Sequence, residues 1–198
     1  MTQPSIEVRN ATSDEVPRAV AAIVAAFIAD PPARFAWPSP HDYLLTMPLA
    51  TREFAGSCFE HGTAYVSADL CGAALWLPPG VEPNGEALEK MFRKTAKREH
   101  LDDLLATFEK MEQSHPREPH WYLPQIGVDP NAQGKGLGAA LMRHALARCD
   151  QERALAYLEA SKPENVPFYM SHGFEVISEI QVGAAPPVTP MLRTPRQP

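Results

Sequence analysis

Apolar residues at helical spacing alternate with short apolar runs along this chain, which predicts helices alternating with strands. In the first half, the pattern from Val16 to Phe27 predicts a helix that Pro31 and Pro32 end. The other predicted elements here are a strand at 6–11, a connecting loop at 31–40, a helix at 42–60, strands at 63–68 and 72–77, and one or two amphipathic helices within 85–113.

The second half alternates more regularly. It predicts strand 120–128, helix 134–149, strand 154–159, helix 165–171 and strand 174–182. Because consecutive β and α units pack as layers, we expect an α/β or α+β fold with a mixed central sheet flanked by helices on both faces. A last strand near 190–193 contains Pro190, so we place it at an edge or an end of the sheet. The length of 198 residues predicts a single domain over 1–198.

The charge and composition favour a small-molecule partner. The net charge of -6 is spread along the chain, which argues against a nucleic-acid or membrane-surface partner and suits a cationic amine. No apolar run reaches the length of a membrane span, and Met1 to Val8 lack the features of a secretory signal. We therefore expect a cytoplasmic protein, and a homodimer is possible.

The cysteines predict neither a disulfide framework nor a metal site. They are odd in number and have no Cys-x-x-Cys spacing. We interpret Cys58, Cys71 and Cys149 as buried or partly buried thiols and expect no metal.

Three glycines at the start of the predicted helix 134–149 indicate a binding site for phosphate groups. Gly134, Gly136 and Gly138 leave backbone N–H groups uncovered at the positive end of a helix dipole, which favours a pyrophosphate there. Gln133 and Lys135 can extend this site.

The strand before this loop adds a second feature. Gly127 permits a bulge or a splay in the strand, which would expose backbone groups of Ile126 and Val128 for hydrogen bonds.

Two other phosphate-binding patterns fit less well. A P-loop needs Ser or Thr after its lysine, and here Gly136 follows Lys135. Gly134, Gly136 and Ala139 match a dinucleotide fingerprint, and Glu159 follows at a suitable distance. However, residues 129–133 separate the strand from the first glycine, and too short a chain follows for that fold.

The pattern Gln-x-x-Gly-x-Gly, formed by Gln133, Gly136 and Gly138, resembles the signature of the GNAT superfamily of N-acetyltransferases. A second likeness is Tyr169 shortly before Gly173-Phe174. The resemblance implies the GNAT fold, acetyl-CoA as cofactor, and Tyr169 as the acid that protonates the departing thiolate. It assigns the cofactor to Ile126, Gly127, Val128, Gln133, Gly134, Lys135, Gly136, Leu137, Gly138 and Asn165.

Within the superfamily the chain is most similar in pattern to the puromycin N-acetyltransferase branch, through residues 117–123, 127–138 and 158–169. This resemblance does not fix the acceptor. Lys162 stands where an asparagine is common, so Asn165 either binds the cofactor or caps the following helix.

The resemblance implies acetyl transfer to a primary amine of a small molecule. We predict Glu159 as the general base, with His120 as the second candidate, and Tyr169 as the general acid. The alternatives are a non-catalytic acyl-CoA-binding sensor or interaction module and a nucleotide-dependent oxidoreductase. The predicted acceptor pocket consists of Phe35, Trp37, Tyr43, His120 and Trp121.

Overall fold

The computed structural model describes residues 6–196. Met1 to Ser5, part of the segment that lacks signal features, lie outside that range. The strands are β1 Val8–Asn10, β2 Ala64–Ser67, β3 Gly72–Leu77, β4 His120–Val128, β5 Leu155–Ala160, β6 Glu175–Val176 and β7 Thr189–Arg193. The helices are α1 Val16–Ala26, α2 Pro31–Ala36, α3 Pro40–Ala55, α4 Ser57–Glu60, α5 Gly85–Thr95, α6 Leu101–Ser114, α7 Leu137–Glu152 and α8 Val166–Ser171.

The strands form one mixed sheet in the order β1-β2-β3-β4-β5-β7-β6. The pairing of β4 with β5 is parallel, and the other neighbours are antiparallel. Apolar side chains from the two faces of the sheet form two separate clusters, which pack against helices on both sides. The prediction of a mixed sheet between two helical layers is confirmed.

Alternation along β5 shows why both faces are buried. Tyr157 belongs to the cluster on the side of α1 and α3, whereas Ala156 and Leu158 belong to the cluster on the side of α7. Successive strand residues point to opposite faces. Glu159 therefore lies on the same face as Tyr157, and the polar residue of the strand is directed at the α1 side.

The predicted loop at 31–40 is wrong in its first half, because residues Pro31–Ala36 form α2. The side chain of Asp30 accepts a hydrogen bond from Ala33 N at 3.2 Å and caps the helix, and proline is favoured at the first helical position. Pro31 and Pro32 therefore begin a helix as well as ending the one before it.

The last predicted strand also differs. Residues 174–182 pair only as β6 and through a bridge between Ile180 and Val188. The edge alternative for Pro190 is wrong, because β7 lies between β5 and β6. Pro190 does lie past the end of β6, whose last pair is Val176 with Met191. The carbonyl of Pro190 accepts from Ile177 N at 3.0 Å, on the side of the short β6. The proline nitrogen points to that same side, so pairing with β5 is unaffected.

The predicted thiol environments are confirmed. Cys58 and Cys149 are buried, Cys71 is half-buried, and all three are free. Burial raises the pKa of the Cys149 thiol to about 12, so this thiol is protonated at neutral pH.

Among residues 6–196, no helix combines the length and the apolar character that crossing a membrane requires.

Candidate active site

A wedge opens between the parallel strands β4 and β5. The two strands pair only from His120 and Leu155 to Tyr122 and Tyr157, and their remaining residues diverge. The backbone of β4 after Tyr122 is therefore free on this side to bind another molecule. A cavity of about 650 Å³ occupies the wedge, a volume typical of a small-ligand site.

The glycine loop forms one end of this cavity. Gly134 and Gly136 have φ values of +74° and +84°, a backbone conformation that favours glycine. Gly136 occupies the N-cap of α7 and supplies no capping side chain, so the first N–H groups of the helix remain uncovered. The predicted helix start at 134 is three residues early because these two glycines cannot continue a right-handed helix.

Most of the predicted cofactor residues meet at this cavity. Gln133 donates from Nε2 to the carbonyl of Val128 at 3.1 Å, which folds the loop back on the end of β4. Lys135 is not among the lining residues, and its Nζ lies 3.4 Å from the carbonyl of Asn131. The lining includes Ile126, Gly127, Val128, Gln133, Gly134, Gly136, Leu137, Gly138 and Asn165.

Gly127 has a different structural role from the one its position suggested. It pairs regularly with Ala73, and the irregular pairing of β3 with β4 lies between Leu75 and Leu77 instead. A Cβ at residue 127 would lie 2.6 Å from the Cβ of Ala26. The glycine therefore permits the close approach of α1 to the sheet.

Tyr169 lies on α8, is 8% exposed, and lines the cavity. Its ring packs edge-on against Phe168 and Phe174. Its pKa is raised, first by burial and then by the charge of Asp30. The phenol is protonated at neutral pH, as a proton donor must be.

Asp30 and Ser161 line the same cavity and were not predicted as site residues. Asp30 is 4% exposed, and the Ser161 hydroxyl donates to its carboxylate. Burial raises the pKa of Asp30, and its hydrogen bonds to Ser161 and Ala33 oppose that shift. In the sequence, Asp30 stands before Pro31 at a position suited to capping a helix. It was missed because the two prolines were interpreted only as the end of the preceding helix.

Glu159 lines the cavity with a side chain that is only 3% exposed. Its Oε1 is buried and has no hydrogen-bond partner among the described residues. The Nε2 atom of His115 lies 3.4 Å from that oxygen. His115 follows α6 directly and is distant from β5 in sequence, so no sequence pattern connects the two residues.

Two tyrosines also surround this carboxylate. Tyr122 and Tyr157 have pKa values raised above the ordinary value, first by burial and then by the charge of Glu159. Both phenols therefore stay protonated and neutral near the carboxylate.

Asn165 was predicted either to bind the cofactor or to cap α8. It occupies the N-cap of α8, but its side chain makes no capping hydrogen bond. It is exposed and lines the cavity, so the capping alternative is wrong.

The predicted acceptor residues are only partly brought together. Phe35 and Trp37 line the cavity. Tyr43 is buried outside it and donates to the carbonyl of Val24 at 2.7 Å. Trp121 points to the opposite face of the sheet, where its Nε1 donates to Glu152 at 2.8 Å. His120 lines a separate cavity of about 260 Å³.

The placement of Tyr43, His120 and Trp121 on the acceptor cavity was therefore wrong. Side-chain alternation turns Trp121 away from the cavity face, and the pairing of β4 with β5 closes the sheet at His120. Other apolar side chains from the helical layer line the cavity in their place: Phe27, Met47, Phe54, Leu88, Phe92, Phe108 and Met111.

Comparison with known proteins identifies the class. The sequence model of the family described as "Acetyltransferase (GNAT) domain" matches residues 94–194, about half of the chain. The chain belongs to this family of acetyltransferases, so the family predicted from the glycine loop and Tyr169 is confirmed.

Solved structures of other proteins share the fold. A Corynebacterium glutamicum protein named as histone acetyltransferase HPA2 and related acetyltransferase is 26% identical, with a TM-score of 0.70 and coverage of 98% of this chain and 99% of that one. The polyamine N-acetyltransferase of Drosophila melanogaster is 17% identical, with a TM-score of 0.66 over 96% and 100% of the two chains. Arylalkylamine N-acetyltransferase 2 of Aedes aegypti is 14% identical, with a TM-score of 0.68 over 98% and 100%.

Proposed function

We propose that this protein transfers an acetyl group from acetyl-CoA to a primary amine of a small molecule by direct attack. The observation that carries the proposal is the single cavity between β4 and β5, which joins the glycine loop to Tyr169 and Glu159. A nucleotide-binding end and an acid–base end share one space, as a two-substrate reaction requires. We also propose that residues 1–198 act as one domain.

The residues at the loop end fit the pyrophosphate of coenzyme A. Within residues 6–196, no atom beyond the chain neighbours of Gly134 lies within 4 Å of a Cβ built there, so the backbone can be approached closely. The uncapped start of α7 adds the positive end of a helix dipole. Lys135, on the exposed side of the loop, supplies a cation, and Asn165 reaches the same cavity from α8.

The unpaired backbone of β4 fits the arm that carries the thioester. Ile126, Gly127 and Val128 lie on the cavity beyond the point where β4 leaves β5. When bound, acetyl-CoA supplies an activated acyl group. An N–H of this strand polarises the carbonyl of that group and stabilises the negative charge that develops on its oxygen.

The acceptor end combines aromatic walls with acidic groups. Phe35 and Trp37 represent the apolar wall, and Asp30 and Glu159 are the buried carboxyl groups. This combination favours an amine that carries an apolar or aromatic body. The names of the Drosophila and Aedes proteins, which refer to polyamines and arylalkylamines, support an amine acceptor.

The reaction needs a base and an acid on opposite sides of the acyl carbon. Glu159 accepts the proton of the amine, so that a neutral nitrogen attacks. Tyr169 is protonated and donates to the departing thiolate. The resemblance to the puromycin N-acetyltransferase branch makes puromycin one amine to test.

Binding is tested by thermal unfolding with acetyl-CoA. At about 100 times Kd the ligand adds about 2.7 kcal/mol, which raises Tm by about 5 to 10 °C in a chain of this size. A shift with NAD and none with acetyl-CoA would instead support the oxidoreductase alternative.

Catalysis is tested by Tyr169→Phe, measured as thiol release with a panel of amines that includes puromycin and 2-phenylethylamine. We expect kcat and kcat/KM to fall together by about 10² to 10⁴, because only the donated proton is removed. Tyr43→Phe is the matched control, since that buried hydroxyl binds Val24 outside the cavity. An acetyl-CoA shift in Tm without thiol release from any amine would support the non-catalytic sensor.

A further inference from the structure

Two histidines outside the main cavity connect Glu159 to the second, smaller cavity. Nδ1 of His115 lies 3.1 Å from Nε2 of His120, and Nδ1 of His120 lies 2.9 Å from the carbonyl of Glu118. With the 3.4 Å approach of His115 to Glu159, these contacts form one continuous row. The row begins at a backbone carbonyl near the surface and ends in the main cavity.

A backbone carbonyl only accepts hydrogen bonds, so this end fixes the positions of the protons. His120 must carry a proton on Nδ1 to donate to Glu118, which leaves its neutral Nε2 as an acceptor. His115 must then carry a proton on Nδ1 to donate to His120. Nε2 of His115 therefore carries a lone pair, and it lies 3.4 Å from Oε1 of Glu159.

This arrangement leaves two acceptors facing each other. Oε1 of Glu159 is buried and has no hydrogen-bond partner among the described residues, and the lone pair of His115 Nε2 is the polar atom nearest to it in the row. Unpaired buried acceptors are unfavourable. One proton placed between the two atoms gives both of them a hydrogen bond.

We propose that Glu159 and His115 act as one general base for the acceptor amine, and that His120 is the positioning residue that holds His115 in the required tautomer. The proposal rests on the proposed function, because that function supplies the acceptor amine as the proton donor. It assigns a catalytic part to His115, and it moves His120 from the acceptor pocket to a supporting role.

The proton balance is as follows. In water a primary amine is mainly an ammonium ion, and only its neutral form attacks. The N–H bond of the ammonium breaks, and an O–H bond forms at Glu159. That one proton then lies between Oε1 of Glu159 and Nε2 of His115, and the neutral amine is left to attack. As the C–N bond forms and the C–S bond breaks, the nitrogen loses its second proton to solvent, while Tyr169 protonates the thiolate and regains a proton from solvent.

The other groups around the histidines do not compete for this proton. The rings of Tyr122 and Tyr157 contact His115, and burial keeps both phenols protonated. Burial is also the first cause of the lowered pKa of His120, so this ring stays neutral at neutral pH, as the tautomer argument requires. Towards solvent, His120 faces the cavity of about 260 Å³ that Glu82, Arg117 and Glu118 also line.

The tautomers are tested without any acceptor, by ¹⁵N NMR of the imidazole nitrogens in the whole protein. We expect both His115 and His120 to carry a proton on Nδ1 at neutral pH. In Glu159→Gln, the amide donates to Nε2 of His115 in place of the shared proton, so the nitrogen shifts of His115 change. A bare Nδ1 on His115, or nitrogen shifts of His115 that Glu159→Gln leaves unchanged at every pH, would overturn the proposal.

The catalytic role is tested with 2-phenylethylamine and its β,β-difluoro analogue, whose amino group is far less basic. His115→Gln keeps polar contacts but cannot take up a proton, so kcat/KM for 2-phenylethylamine falls by about 10- to 100-fold. The deficit shrinks for the fluorinated amine, because it is already neutral. His41→Gln, on the exposed face of α3, is the matched control. An equal deficit for both amines would indicate a structural effect and refute the role in proton transfer.

The positioning role of His120 is tested by two substitutions. Gln at this position places an acceptor near the former Nε2, so His120→Gln retains most of the rate, whereas His120→Leu loses it about as far as His115→Gln does. Similar rates for the two variants would overturn the positioning role. If the unsubstituted protein acetylates no amine, the proposed function fails, and the nitrogen spectra still decide whether Glu159 and His115 share a proton.

Discussion

The close contact between Gly127 and Ala26 makes Gly127→Ala a sharp test of how α1 packs on the sheet. A Cβ at residue 127 would lie 2.6 Å from the Ala26 Cβ and 3.4 Å from Cδ1 of Ile23. Carbon atoms prefer separations of about 3.5 to 4.0 Å. The helix must therefore move by about 1 Å, or the strand must bend by the same amount.

The expected cost follows from this displacement. Overfilling a packed core typically costs about 1 to 3 kcal/mol. In a chain of this size each kcal/mol lowers Tm by about 2 to 4 °C, so Gly127→Ala should lower Tm by about 2 to 12 °C. Acetyl-CoA should still raise Tm, because the predicted contacts of Gly127 with the cofactor use backbone atoms.

The double variant Ala26→Gly with Gly127→Ala exchanges the two side chains and restores the room. Ala26→Gly alone should cost up to about 1 kcal/mol at the last residue of α1. Equilibrium unfolding of all four proteins gives a coupling free energy, which we expect to be stabilising by about 0.5 to 3 kcal/mol. Strict additivity of the two substitutions, or a Gly127→Ala protein as stable as the original, would refute the packing argument.

Three further predictions concern the loop, the acceptor wall and the C-terminal strand. Gly136→Val should abolish the rise in Tm with acetyl-CoA. The control is Gly80→Val, in the turn after β3 with a similar φ of +82°, which should keep that rise. The same rise in Tm for both variants would show that the glycine loop is not the binding site. Phe35→Ala should raise KM for the amine and spare acetyl-CoA binding, whereas Trp37→Ala, at 3% exposure, should destabilise the fold by about 3 to 5 kcal/mol; an unchanged KM would make Phe35 a packing residue alone. The hydrogen bonds from Arg193 lower the pKa of Asp150 below its ordinary value of 3.8. The ionised carboxylate therefore stabilises the fold fully above pH 3.8, and this stabilisation is lost as the pH falls through the lowered pKa. Asp150→Asn should therefore lower Tm at pH 7, and this difference in Tm should disappear when the pH falls below the lowered pKa of Asp150. A difference in Tm that is the same at every pH would contradict this reasoning.

The glycine-loop end of the cavity could be predicted from the sequence because its determinants are local. Gly134 and Gly136 adopt positive φ in a turn that directly precedes a helix, and both requirements are encoded within a few residues. Strand β4 was predicted with the bounds that the structure has, since its apolar pattern ends at the same loop. Tyr169 was found through a second local pattern, its spacing from Gly173 and Phe174.

The acceptor end could not be predicted in this way, because distant segments form it. Asp30 was not recognised because the proline segment that follows it was predicted as a loop and forms a helix. Tyr43 packs against Val24, and strand alternation turns Trp121 to the opposite face of the sheet, so neither side chain lies on the cavity. Which residues of β4 face which side depends on its pairing with β3 and β5.

The sequence by itself determined the order of helices and strands from β4 to α8, the position of the glycine loop at the start of a helix, and the family to which these belong. It did so because backbone conformation and apolar periodicity are properties of neighbouring residues. The tertiary structure alone decided that β4 and β5 separate after Tyr122, that β7 inserts beside β5, and that His115 lies against Glu159. These contacts join residues that are far apart in the chain, and only the packing of helices on both faces of the sheet brings them within hydrogen-bonding range.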